Sequence, residues 1–131
     1  MRLEVAVPER PVLNERAVSV QLPLATGYLG VLPDHAPLLA KMGTGVLTFS
    51  GPDGAENCVA LDGGVAEVLG DCVRVLAERA ERSGEIDVDR ARSALARAEQ
   101  HLESPSLETD VDRAQRAAGR ARARIAAAAA Q

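Results

Sequence analysis

Residues 45–78 read GVLTFSGPDGAENCVALDGGVAEVLGDCVRVLAE, and this stretch decides the fold of the first half of the chain. Its short apolar segments are separated by GPDG, DGG and GD. Each separator is a turn signal, because glycine accepts positive φ angles that other residues avoid. Short strands divided by regularly spaced turns are typical of a β-sandwich or barrel.

The preceding residues extend this pattern towards the N-terminus. Apolar and polar residues alternate in LEVAVPE (residues 3–9) and again in RAVSVQLP (residues 16–23). A period of two predicts half-buried antiparallel strands. We therefore predict an all-β domain over residues 1–84, with valine and leucine filling its core.

Between these strands, residues 27–45 read GYLGVLPDHAPLLAKMGTG. Pro33 and Pro37 each remove a backbone donor, and glycines punctuate both ends. This pattern predicts a shaped loop rather than a strand or a helix.

The composition changes after about Leu76 to alanine, arginine and glutamate. Apolar residues recur at helical spacing from Ile86 to Leu102, and Asp87 is placed to cap the start. ESPS (residues 103–106) breaks the pattern, and a second helix is predicted from about Glu108. We predict a two-helix antiparallel hairpin over residues 85–131. The apolar face of its second helix is Val111, Ala114, Ala118, Ala121 and Ile125.

That apolar face consists mostly of alanine, which favours helix but buries little surface. The hairpin is therefore expected to be strongly helical and weakly docked, so that it can move. The alternative is an ordinary alanine-rich helix pair from a GC-biased genome.

The charge is unevenly distributed. The formal net charge of −4 argues against nonspecific nucleic-acid binding by the whole molecule, although the segment from Arg113 onwards holds five arginines and no acid. RNA binding by this basic segment is the least favoured hypothesis, because the segment has no aromatic residue on which a base could stack.

The usual sequence signatures of a catalytic or metal site are missing. The chain has no P-loop motif, and neither His35 nor His101 has a partner at metal-ligand spacing. Cys58 and Cys72 are too far apart for a C-x-x-C pair. We expect a non-catalytic protein with no metal and no required cofactor. Lacking a signal peptide or long apolar run, it should reach a membrane only through partners.

Three segments taken together resemble the ε subunits of bacterial F-type ATP synthases. They are GYLGVLPDHAPLLAKMGTGVL (27–47), LDGGVAEVLGDCVRVLAERAE (61–81) and IDVDRARSALARAEQHL (86–102). The resemblance covers essentially the whole chain and implies a sandwich of about ten strands followed by a helical hairpin. It also implies a central-stalk rotor subunit on the cytoplasmic face of the bacterial membrane. The implied partners are the γ subunit, the c-ring and the α/β catalytic head.

The resemblance places the proline-rich loop at the end of the sandwich that meets the c-ring, with γ alongside. The implied contact residues are Tyr28, Leu29, Val31, Asp34, His35 and Pro37. The alternative is that the prolines only rigidify a connection and that His35 caps a turn.

Ile86, Asp87, Arg90 and Ala91 match the I-D-x-x-R-A motif of ε subunits that bind ATP in a folded hairpin. The full set implied by the resemblance is Glu81, Ile86, Asp87, Arg90, Ala91, Arg120 and Arg124, with ATP as a regulatory ligand. Arginine forks suit a triphosphate chemically. The alternative needs no ligand, because Asp87 can cap the first helix and pair with Arg90.

The resemblance further implies that the hairpin extends into the catalytic head and inhibits ATP hydrolysis. Its basic second helix would then meet an acidic segment of the β subunits. The inhibitory residues would be Arg113, Arg116, Arg120, Arg122 and Arg124. A stand-alone nucleotide-sensing or scaffold module of another complex is the alternative function.

Overall fold

A computed structural model describes residues 1–130 of the chain, with ten strands followed by two helices. The strands are β1 (Arg2–Val7), β2 (Arg10–Arg16), β3 (Ser19–Leu24), β4 (Gly27–Val31), β5 (Leu38–Lys41), β6 (Thr44–Ser50), β7 (Glu56–Asp62), β8 (Val65–Leu69), β9 (Cys72–Leu76) and β10 (Arg79–Arg82). The helices are α1 (Val88–Glu103) and α2 (Val111–Ala129), and a 3-10 turn (Ser83–Glu85) precedes α1. The predicted fold class is confirmed. Gln131, the last residue of the predicted hairpin, lies outside the described residues.

The strands form two five-stranded sheets packed face to face. The first sheet has the order β2-β1-β9-β8-β5 and the second β10-β7-β6-β3-β4. The pairing is antiparallel except between β1 and β9. Leu3, Leu22, Leu47 and Leu61 are fully buried between the sheets. Alternation along each strand puts these residues on the inner faces, and valine and leucine fill most of the core as predicted, together with Phe49 and Met42.

The prediction that residues 27–45 form one continuous loop is wrong. The strands β4 and β5 lie inside this stretch, and only residues 32–37 connect them. Gly30 lies within β4 and pairs with Gln21 of β3. An isolated glycine weakens a strand but does not have to end it. Gly27, the first residue of β4, has a φ of 132° and follows the tight turn between β3 and β4.

The DGG turn joins β7 to β8 and requires glycine. Gly64 has a φ of 106°, and a Cβ at this position would lie 2.0 Å from the Leu76 carbonyl oxygen. No side chain fits at such a separation from the backbone. The pair Gly63-Gly64 therefore serves chain reversal.

Both helices begin one residue after an aspartate. The side chain of Asp87 accepts from the Arg90 N–H at 3.1 Å, and that of Asp110 accepts from the Arg113 N–H at 2.9 Å. Because Asp110 is the cap, α2 begins at Val111 and not near Glu108 as predicted. Val111 itself is exposed, so the buried face of α2 begins at Ala114. Within residues 1–130, neither helix combines the length and the apolar character needed to cross a membrane.

The hairpin is folded back onto the sandwich. Helix α2 packs on β6 and β7 at the outer face of the second sheet, and α1 packs against α2. Near the C-terminal end of α2, Ala127 packs into a small cluster with Cys58, Ala60 and Ile86. The buried residues of α2 are Ala114, Ala118, Ala121, Ala123 and Ala127. Because all of them are alanines, α2 lies close to the sheet, but each of these residues buries little area.

Candidate functional site

A cleft of about 510 Å³ lies where α1, α2 and the outer face of the second sheet meet. Its size is in the range of small-molecule sites. Six arginines and three carboxylates line it, which leaves a formal excess of three positive charges. The charged lining residues are Arg10, Asp62, Arg79, Glu81, Glu85, Arg90, Arg97, Arg120 and Arg124.

Two ion pairs join α2 to the sandwich at one side of this cleft. Arg124 donates from Nε to Oε1 of Glu81 at 2.7 Å. Arg120 Nη1 lies 3.8 Å from Oδ2 of Asp62, whose other oxygen accepts from the Thr44 hydroxyl. The two arginines are one helical turn apart, and their acids lie on the adjacent strands β7 and β10. The sandwich therefore holds α2 by charge as well as by packing.

The other four arginines of the cleft are Arg10, Arg79, Arg90 and Arg97. All four side chains are exposed. Within the described part of the chain, no carboxylate lies within ion-pair distance of any of them. These guanidinium groups are therefore available to an anion from solution.

The structure brings together four of the seven residues in the predicted nucleotide set. Glu81, Arg90, Arg120 and Arg124 all line the cleft.

The other three, Ile86, Asp87 and Ala91, do not line the cleft. Ile86 packs beneath α2, Ala91 is buried, and Asp87 caps α1. The capping alternative is thus observed for Asp87, through the backbone N–H of Arg90 and not its side chain. Within this motif, only the arginine faces the cleft.

The sequence reading missed Arg10, Asp62, Arg79, Glu85 and Arg97 as cleft residues. Two of them could have been predicted as cleft residues from their spacing in the sequence. Arg79 lies two residues before Glu81 and therefore shares its face of β10, and Arg97 lies two helical turns after Arg90 on α1. The positions of Arg10 and Asp62 depend on how the sheet and α2 pack, which local patterns do not encode.

The six residues predicted to contact the rotor differ in how exposed their side chains are. Val31 is only 1% exposed and belongs to the core, so its side chain offers no contact surface. Leu29 is half-buried against that core. Asp34 and Pro37 are exposed, while Leu32 and Leu39, which the prediction omitted, are 63% and 72% exposed.

Tyr28 and His35 also make contacts within the chain. The Tyr28 hydroxyl accepts from the Val46 N–H at 3.2 Å, although the ring is largely exposed. His35 donates its backbone N–H to the Leu32 carbonyl at 3.2 Å, and its Nδ1 lies 2.7 Å from the Ala36 carbonyl oxygen. The turn-forming alternative for His35 is therefore observed. Asp34, next to it, has a φ of 68°.

The five arginines of α2 are not equivalent in the folded hairpin. Arg120 and Arg124 are held by Asp62 and Glu81, and Arg122 Nη2 lies 3.7 Å from Oε1 of Glu99 on α1. Arg113 and Arg116 are exposed, and no acid among residues 1–130 is within ion-pair distance of them. The folded hairpin therefore engages the last three of these five arginines and leaves the first two exposed to solvent.

Two family models match the chain in succession. Residues 1–83 match "ATP synthase, Delta/Epsilon chain, beta-sandwich domain", and residues 85–129 match "ATP synthase, Delta/Epsilon chain, long alpha-helix domain". The chain belongs to the ATP synthase delta/epsilon family. The family predicted from the three sequence segments is thus confirmed.

Curated relatives agree with this assignment. The chain is 48% identical over 128 residues to the ATP synthase epsilon chain of Solibacter usitatus, covering 98% of this chain and 95% of that one. It is 50% identical over 102 residues to the ATP synthase epsilon chain of Moorella thermoacetica, covering 78% and 76%.

Solved structures share the fold at low sequence identity. A chain of the Euglena gracilis mitochondrial ATP synthase (OSCP/F1/c-ring) superposes with a TM-score of 0.82 at 21% identity, covering 98% of this chain and 80% of that one. A chain of the central stalk/c-ring of the Tetrahymena thermophila enzyme gives a TM-score of 0.66 at 13% identity, covering 98% and 96%. The sandwich and hairpin are therefore an arrangement found in ATP synthases.

Proposed function

We propose that this chain is a non-catalytic central-stalk subunit of a rotary ATP synthase, linking γ to the c-ring at the cytoplasmic face of the membrane. The observation that carries the proposal is the succession of the two family models, which together span nearly the whole chain. The relatives are named ATP synthase epsilon chains, and the solved neighbours come from assemblies that contain F1, the central stalk or the c-ring. The α/β catalytic head is the remaining partner in this proposal.

Docking to the rotor is assigned to the exposed end of the sandwich around residues 32–39. Leu32 and Leu39 present apolar surface there, next to the exposed Asp34 and Pro37. An exposed apolar group on a rigid scaffold is a frequent binding position. Tyr28 and His35 are kept in the proposed surface, whereas Val31 supports it from the core.

The test of docking is co-purification with the γ subunit and the c-ring. Leu32→Asp and Leu39→Asp should each reduce recovery of the complex while leaving the isolated chain folded, because both side chains are mostly exposed. Val18→Asp is the matched control, since Val18 is an exposed valine outside this surface. Wild-type recovery with both leucine variants would remove the docking assignment.

The hairpin is proposed to be a two-state regulatory element. In the folded state, Arg120 and Arg124 are held against the sandwich. In an extended state they join Arg113, Arg116 and Arg122 as a basic surface for an acidic segment of the catalytic head. ATP in the cleft stabilises the folded state, because a ligand that binds one state shifts the population towards it.

Truncation tests the inhibitory role of α2. An assembled complex lacking residues 104–131 should hydrolyse ATP faster than the full-length complex, because the sandwich carries the proposed docking surfaces and α2 carries the proposed brake. The measurement is the hydrolysis rate with and without ATP preincubation. Equal rates in both conditions would leave the hairpin without a regulatory role.

A further inference from the structure

Three arginines follow one another along α2 at intervals of one helical turn. Arg116, Arg120 and Arg124 are each four residues apart, which places them on one side of the helix. The last two face Asp62 and Glu81 on the sandwich. Arg116 is exposed, and no acid among residues 1–130 lies within ion-pair distance of it. Two neighbouring acids therefore face a row of three equivalent donors, and this row can pair with them in two ways.

The buried side of α2 is equally repetitive. If the helix moved by one turn towards its own C-terminal end, each buried position would receive the residue four places earlier in the sequence. Every such replacement at the four later buried positions keeps an alanine or removes one methyl group, so the moved helix fits the same surface. The positions of Ala118, Ala121, Ala123 and Ala127 would be filled by Ala114, Ala117, Gly119 and Ala123, respectively.

The connection between the helices allows this movement, at a cost. Residues 104–110 can span more than about 20 Å when extended, which is ample for a displacement of about 6 Å. The movement would break the pair between Arg122 and Glu99 of α1. It would also bring Asp110 to the buried position of Ala114. The register described above is therefore the more populated of the two.

We propose that α2 docks on the sandwich in two registers one helical turn apart. In the second register, Arg116 pairs with Asp62, Arg120 pairs with Glu81, and Arg124 is released. One-turn steps are a known form of movement between packed elements, and here only a whole turn restores both ion pairs. The second register changes which arginines are exposed without detaching the helix. This inference goes beyond the proposed regulation, because it concerns the docked hairpin of the isolated chain.

Disulfide trapping in the full-length chain tests the proposal. The background carries Cys58→Ala and Cys72→Ser, and Thr44→Cys is the fixed partner. A Cβ at Gly119 would lie 4.0 Å from the Thr44 methyl carbon, so Gly119→Cys should form a disulfide in the described register. Gln115 is one turn earlier and lies about 6 Å away from that position along the helix axis. Gln115→Cys can therefore reach the fixed cysteine only in the second register.

Ala123→Cys is the matched control, because Ala123 lies one turn from Gly119 in the opposite direction. A movement that brought this residue to Thr44 would place Ala128, and no arginine, opposite Glu81. One of the two ion pairs would then be lost.

The two disulfides should form at different rates under the same oxidant. The Gln115 disulfide should form at least about fivefold faster than the Ala123 disulfide, because only the first movement keeps both ion pairs. Undirected motion of the helix would bring both cysteines to Thr44 equally often. Equal rates, or absence of the Gln115 disulfide, would overturn the second register.

A double-mutant cycle tests the exchanged ion pairs without added cysteines. Its readout is the modification rate of Cys58 in a Cys72→Ser chain, because α2 covers Cys58. Arg116→Gln alone should change this rate less than about twofold, since its side chain is unpaired in the described register. Combined with Arg124→Gln, it should raise the rate more than about twofold beyond the product of the single effects, because the second register then loses an ion pair.

Independent sites give a different result in this cycle. Arg116 and Arg124 are about 12 Å apart along the axis, and sites this distant act additively to within about twofold when they share no partner. Additive effects would therefore overturn the pairing of Arg116 with Asp62. Arg92→Gln, at an exposed arginine of α1, is the control and should be additive with Arg124→Gln.

Discussion

The ion pair between Arg124 and Glu81 should contribute measurably to the stability of the folded hairpin. Its side chains are 26% and 32% exposed, so the pair lies between a buried charged hydrogen bond and a surface ion pair. The former contributes about 1.5–3 kcal/mol and the latter about 0–1 kcal/mol. Glu81→Gln retains an acceptor oxygen and removes only the charge. We therefore expect this substitution to destabilise the folded hairpin by about 1–1.5 kcal/mol.

The chain contains its own reporter for this change. Cys58 is 5% exposed and packs with Ala127 of α2, so a thiol reagent reaches it only when α2 detaches. Cys72 is half-buried on the other sheet and should be replaced by serine in the background chain. The modification rate of Cys58 is then proportional to the open population when opening and closing are fast. Glu81→Gln should raise that rate about five- to twelvefold.

Glu99→Gln is the matched control for this experiment. Glu99 pairs with Arg122 at 3.7 Å, but this pair joins the two helices to each other and is more exposed. Its loss should change the rate less than about twofold. Rates measured in low urea distinguish hairpin opening, which exposes little surface, from global unfolding, which depends steeply on denaturant. Equal rates for the two variants would refute the role of the Arg124–Glu81 pair.

Two further predictions concern the backbone. Asp34 has a φ of 68°, so Asp34→Gly should be more stable than Asp34→Ala by about 1–2 kcal/mol in urea denaturation, both variants having lost the carboxylate. A smaller difference would mean that the loop relaxes. Gly64→Ala should cost about 2–4 kcal/mol, because its Cβ would meet the Leu76 carbonyl. Gly70→Ala, at a φ of 60° with open space around it, should cost about 1 kcal/mol, and equal losses would contradict the clash.

Much of the fold could be predicted from local pattern. Period-2 alternation and glycine turns identify the strands of residues 45–78, and the spacing of alanines identifies both helices. The cap of α1 at Asp87 was predicted correctly, but the start of α2 was misplaced. An aspartate can be a cap or an ordinary first-turn residue, and only the backbone conformation of Asp110 distinguishes the two. The strands β4 and β5 were missed because glycine and proline nearby outweighed their short apolar runs.

The cleft was only half predictable, for a different reason. Arg90 came from a motif and Arg124 from the resemblance of the whole hairpin, whereas Asp62 faces Arg120 because α2 crosses β7 at that point. Such a contact depends on the placement of a helix on a sheet, and the partners are distant in sequence. Conversely, Val31 lies in a segment that resembles a contact loop, yet the inward side of β4 takes it into the core. Motif membership thus identified the region but not the direction of each side chain.

The attachment of α2 combines weak packing with charge. Each buried alanine methyl contributes about 0.8 kcal/mol, and part of that burial is against α1 and not the sandwich. The ion pairs to Asp62 and Glu81 are therefore of comparable weight, and alanine burial alone underestimates the docking. A triphosphate in the cleft would share Arg120 and Arg124 with these two acids, which repel it. Binding can stabilise the folded hairpin only if attraction to the arginines without ion pairs outweighs the repulsion from the two acids. The cleft meets this condition in composition, because it holds twice as many arginines as carboxylates.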